Sequence, residues 1–128
     1  MSQVQKSHRA DADRLLFVEK CFASAFEELS QAVHDTAKAK GWWDEPRNNG
    51  EMIALMHSEL SEALEALRAG NPPDDKIPDF SGAEAEMADT IIRIMDMGSA
   101  RGWRIAEAVV AKMAYNRDRP RRHGGKAF

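Results

Sequence analysis

A single cysteine, Cys21, is all the thiol chemistry this chain of 128 residues carries. An intrachain disulfide is therefore excluded, and a reducing compartment is the expectation. Long apolar runs are missing as well. None approaches the ~20 residues that a membrane span needs, and residues 1–14 are polar, without the apolar segment of a signal peptide. The expected setting is cytoplasmic, with no membrane partner. Positive charge is not in excess, since the formal net charge is −3. General nucleic-acid binders usually carry a basic excess, so no specific nucleic-acid partner is expected. No stretch alternates apolar and polar residues over a useful length, so no strands are predicted. No internal repeat is visible.

What is present reads as helix. Hydrophobic residues make up 43% and charged residues 30%, a balance that fits one globular domain with its own core. Leu15, Val18, Phe22, Phe26, Leu29 and Val33 recur at steps of three and four, which predicts a first helix over residues 11–40, stopped by Gly41. A second helix is predicted from Asn49 to Gly70, with Pro72 and Pro73 beyond it and an apolar stripe of Ile53, Met56, Leu60, Leu64 and Leu67. The third starts at Ser81, where Ser81 and Glu84 form a capping box, and carries Met87, Ile91, Ile94 and Gly98 before ending near Gly102. The fourth begins around Trp103 with Ile105, Val109 and Met113. Short links favour antiparallel neighbours. The fold class is all-α, a four-helix bundle over residues 11–116, flanked by a flexible tail (residues 1–10) and a basic tail (residues 117–128).

Two acidic pairs stand out, Glu59 with Glu62 and Glu86 with Asp89. Residues three apart share one face of a helix. Each predicted helix can thus offer two carboxylates to a common point, and two packed helices could surround a hard cation with oxygen donors. Glu59 lies among apolar neighbours on its helix, where an unpaired charge is unfavourable. It needs either a metal ion or a salt bridge, for which Arg93 is available. Arg93 itself can pair with Asp89 or stand near a substrate phosphate. On the fourth helix Lys112 and Asn116 extend an apolar stripe. They suit phosphate oxygens, although Lys112 would also favour the helix C-terminus. The loop between the first two helices holds Trp42, Trp43 and Asn48. Two adjacent tryptophans cannot both enter a core from one helical face, so one of them is a candidate for stacking on a nucleobase. Oxygen-only ligands favour Mg²⁺ or Mn²⁺ over iron or zinc. A di-iron bundle is further disfavoured because none of His8, His34, His57 or His123 follows a glutamate by three residues.

The ordered set Glu59-x-x-Glu62, Glu86-x-x-Asp89, then Lys112-x-x-Tyr115-Asn116 with a basic, glycine-containing tail resembles the MazG-like nucleotide pyrophosphohydrolases of the all-α NTP pyrophosphatase superfamily. The likeness runs from about Leu29 to Phe128. It implies a Mg²⁺-dependent hydrolase that converts a nucleoside triphosphate to the monophosphate and pyrophosphate in nucleotide-pool house-cleaning. It implies Glu59, Glu62, Glu86 and Asp89 as metal ligands; a carboxylate not fully committed to the metal, Glu59 or Glu62, is the expected base for water on grounds of charge. It also implies Lys112 and Asn116 at the phosphates, the tryptophan loop at the base, and a homodimer or tetramer. Many members carry a further glutamate directly before the first motif glutamate, where this chain has Ser58. The competing expectation is a helical dimerisation module without catalysis, using the same apolar faces.

Overall fold

The computed structural model describes residues 1–120, so most of the expected basic tail lies outside the described residues. These residues form four helices, α1 (Gln3–Ala39), α2 (Asn49–Arg68), α3 (Gly82–Arg101) and α4 (Ile105–Arg117). Among the described residues there is no strand, only an isolated bridge between Pro73 and Ser81. No described helix is long and apolar enough to cross a membrane. The all-α expectation holds.

The helix ends follow local chemistry. Ser81 caps α3 in a complete capping box, and the Ser81 N–H donates to Glu84 Oε2 at 2.8 Å. Gly70 and Gly102 close α2 and α3 with positive φ values of 86° and 66°. The first boundary departs from expectation. Residues 3–10 are helical, not a loose tail, because Ser2 and Gln5 form a second capping box. The Ser2 N–H donates to Gln5 Oε1 at 2.7 Å, and the Gln5 N–H donates to Ser2 Oγ at 3.2 Å.

The chain forms two compact units. One comprises Met1–Glu28 with the described residues from Arg104 onward, and the other is Leu29–Trp103. In the terminal unit, Phe22 and Phe26 pack at 5.5 Å between ring centroids, and Arg117 lies 3.7 Å from Glu19. In the central unit, α2 packs along α3. At Gly82 the two helices come so close that a Cβ would sit 3.0 Å from the Ala66 methyl. Small residues make this seam possible, with Ala63, Ala83 and Ala85 all buried.

The seam corrects the expected core faces. Leu60, Leu64 and Leu67 of α2 stay 45%, 51% and 55% exposed, and Met87 and Ile91 of α3 are exposed as well. The buried positions of α2 are Met52, Glu59 and Ala63. The face carrying the carboxylate is therefore turned inward, while Leu60, Leu64, Leu67, Met87 and Ile91 stay exposed and Gly98 of the expected α3 stripe is buried. The Glu59–Arg93 ion pair and the small residues of the seam explain why that face can close.

Candidate functional site

A cavity of about 810 Å³ lies within the central unit. One part of its wall is built by the two acidic pairs, Glu59, Glu62, Glu86 and Asp89, and another by Trp42, Arg47 and Lys40. Helical spacing brings the acids together as expected. Carboxylate oxygens of Glu59, Glu62 and Glu86 all lie within 4.8 Å of one another, a separation that one cation can span. Asp89 is on the same wall, outside that tightest group.

The electrostatics of the group are uneven. Arg93 reaches across from α3, and its Nε donates to Glu59 Oε1 at 2.7 Å. Burial alone would raise Glu59. The hydrogen bonds from Arg93, Glu86 and Glu62, with the guanidinium charge, outweigh burial and hold its pKa below the ordinary 4.5. Glu86 goes the other way. Burial, a hydrogen bond to Glu59, and the charges of Glu62, Glu59 and Asp89 push it up to about 7. The single Arg93–Glu59 ion pair leaves the other three carboxylates crowded together, and the raised pKa of Glu86 follows from that crowding. A site with this donor set fits a hard divalent cation.

Further along α3, the cavity is also lined by a carboxylate that sequence patterning did not single out. Asp96 is buried on α3, with 8% relative exposure. Trp43 Nε1 donates to both its oxygens, at 3.0 and 3.1 Å. His34 Nδ1 lies 2.7 Å from its Oδ1, and Arg47 Nη1 lies 3.6 Å from its Oδ2. The two tryptophans thus divide the roles left open between them. Trp43 anchors the loop, while Trp42, 57% exposed, lines the cavity. Asp96 had a sequence signal, because it continues the polar stripe of Glu86, Asp89 and Arg93 by one more step along α3.

Other expected site residues have definite places. Asn48 caps α2, its Oδ1 accepting from the Glu51 N–H at 3.1 Å. Lys112 and Asn116 belong to the terminal unit, where Lys112 Nζ stands 5.0 Å from the Tyr115 ring centroid. Lys76 also lines the cavity. Its loop is turned by Asp74, whose Oδ2 accepts from the backbone of Lys76 and Ile77. Lys40, Arg47, Lys76 and Arg93 therefore bring cationic groups to the same cavity as the acids. No protein-family model, curated protein or solved structure matches the chain.

Proposed function

We propose that the chain is a Mg²⁺-dependent nucleoside triphosphate pyrophosphohydrolase of the MazG-like type, which cleaves an NTP or dNTP to the monophosphate and pyrophosphate. The observation that carries this reading is the meeting of Glu59, Glu62 and Glu86 within 4.8 Å on the wall of a cavity also lined by Trp42 and cationic side chains. A purely structural acidic cluster has no use for a cavity beside it with an aromatic wall and several cations.

Glu59, Glu62, Glu86 and Asp89 would hold the cation, Mg²⁺ or Mn²⁺. When bound, the ion supplies charge neutralisation for the triphosphate and lowers the pKa of a water. Arg93 and the ion would compete for Glu59, and an Arg93 released from that pair has a planar cation to offer a phosphate. An oxygen of Glu59 or Glu62 would take a proton from the water that attacks the α-phosphorus. The bond from that phosphorus to the bridging oxygen breaks, and pyrophosphate leaves. Trp42 offers a face for the base. The resemblance adds Lys112 and Asn116 as phosphate contacts.

The outward apolar residues of α2, Leu60, Leu64 and Leu67, favour a homodimer or tetramer, because stripes of this kind rarely stay in water. The same residues favour the second reading, a helical interaction module. The deciding experiment incubates the full chain with a panel of NTPs and dNTPs, canonical and modified, with and without Mg²⁺. Equimolar monophosphate and pyrophosphate, formed only with the metal, support the enzyme. No cleavage of any member, together with concentration-dependent self-association, supports the module.

A further inference from the structure

The loop that carries Trp42 is held by interactions that contribute nothing to metal binding. Three side chains from two stretches of chain converge on Asp96, namely His34 of α1, and Trp43 and Arg47 of the loop between α1 and α2. A buried carboxylate is tolerated only when its charge is compensated, and here a ring nitrogen, an indole N–H and a guanidinium surround it. The His34 ring also meets the Trp43 ring edge-on at 5.1 Å.

Holding Trp43 fixes its neighbour. The turn at Gly41 has a positive φ of 85°, and the Trp42 N–H donates back to the Ala37 carbonyl at 3.1 Å. The backbone is tied on one side and the Trp43 indole on the other, and from that backbone Trp42 lines the cavity. Arg47 connects the two rings, with its guanidinium carbon 5.9 Å from the Trp42 centroid and 5.2 Å from that of Trp43. Arg101 of α3 secures the end of the loop, donating to the Arg47 carbonyl at 2.7 Å and to Asn49 Oδ1 at 2.8 Å. α3 thus carries the acids at one stage of its length and the loop's anchor at another.

We propose that Asp96 is the positioning residue of a nucleobase-recognition wall. Through Trp43 and Arg47 it sets where Trp42 stands, and so it governs binding of the planar base and not the chemical step. This rests on the nucleotide reading above. The test uses the full chain and the nucleotide cleaved fastest in the panel. In Asp96→Ala, KM should rise about tenfold or more, the loss expected when a binding wall is misplaced, with kcat within about twofold. Inhibition by inorganic tripolyphosphate, which has no base, should be unchanged. Asp96→Asn keeps one oxygen for Trp43 and should recover part of the affinity. Should Asp96→Ala fail to fold, Asp96→Asn beside Trp43→Phe carries the same comparison.

A folded Asp96→Ala with wild-type KM overturns the proposal. So does equal loss of nucleotide and tripolyphosphate binding, which would mark a general structural role. If the wild-type protein cleaves no nucleotide, the catalytic reading fails instead. The loop assignment is then judged by amide exchange at Gly41, Trp42 and Asp44, where faster exchange in Asp96→Ala supports it and unchanged exchange overturns it.

Discussion

Two carboxylate environments line one cavity at different stages along α3, and in charge balance they are opposites. Among the described residues, Glu59, Glu62, Glu86 and Asp89 crowd together with Arg93 as their close ion-pair partner, and Glu86 is pushed up to about 7. Around Asp96 a single acid meets three donor side chains. The first environment is electrostatically incomplete and calls for a cation. The second is complete and holds a loop. A carboxylate's neighbours, more than its burial, thus tell an anchor from a binding site, since Glu59 and Asp96 are almost equally buried at 7% and 8%.

The largest effect that can break this contrast is on turnover. Glu62→Gln and Asp89→Asn should each lower kcat by about 100-fold or more, the scale on which loss of a key charged group acts, while circular dichroism stays helical. Equivalent turnover in both variants would return the acids to the status of solvated surface groups.

The next effect is on cation affinity. Ligand carboxylates must be deprotonated to bind a metal, so the Glu86 proton competes with Mg²⁺. Below about pH 7, apparent affinity should rise about tenfold per pH unit, flattening above it. Glu86→Gln should flatten the profile at low affinity. Calorimetric titration at several pH values reads both.

Stability sharpens the contrast further. Glu86 titrates near 4.5 when free and near 7 when folded. A carboxyl raised in this way contributes stability that is fully present below its free value and lost as pH rises through its folded value. Glu59, held below 4.5, does the reverse, since its contribution is present above 4.5 and lost as pH falls through its folded value. Metal-free protein should therefore lose Tm from about pH 4.5 to about pH 7 because of Glu86. Glu86→Gln should remove that decline, and Mg²⁺ should offset it in the wild type. A Tm that is flat with pH in metal-free protein argues against crowding.

The smallest effect lies at the single ion pair. Arg93→Met leaves Glu59 without its guanidinium and should lower the metal-free Tm by a few degrees, the scale of about 1 kcal/mol in a domain of this size. The Mg²⁺-induced rise in Tm should become larger than in wild type, because the ion no longer displaces an arginine. A smaller rise would mean that Arg93 supports the cation site instead of competing for it.

Much of this architecture is legible in the chain. Ser81 with Glu84, Gly70 and Gly102 mark helix ends by chemistry that acts over a few residues, and these boundaries agree with the structure. The Ser2–Gln5 box carries the same kind of signal at the first helix, yet a polar N-terminal stretch masks it as a tail. The acidic pairs are legible because three-residue spacing fixes a shared face. The face that closes is not. Periodicity marks Leu60, Leu64 and Leu67 as apolar, but whether one chain covers them depends on how closely its neighbour can approach. Gly82 and the seam alanines settle that in favour of the Glu59 face. The polar stripe of α3 reaches Asp96, but its role as an anchor escapes local pattern because its partners, His34 and Trp43, are distant in sequence.

The contrast between the crowded acids and the satisfied Asp96 can be tested most directly by titrating Mn²⁺ into metal-free protein and following free Mn²⁺ by electron paramagnetic resonance. The account predicts saturable binding in the wild type and in Asp96→Asn, and its loss in Glu62→Gln and Glu86→Gln. Binding that survives both glutamate substitutions, or its absence from the wild type, would contradict it.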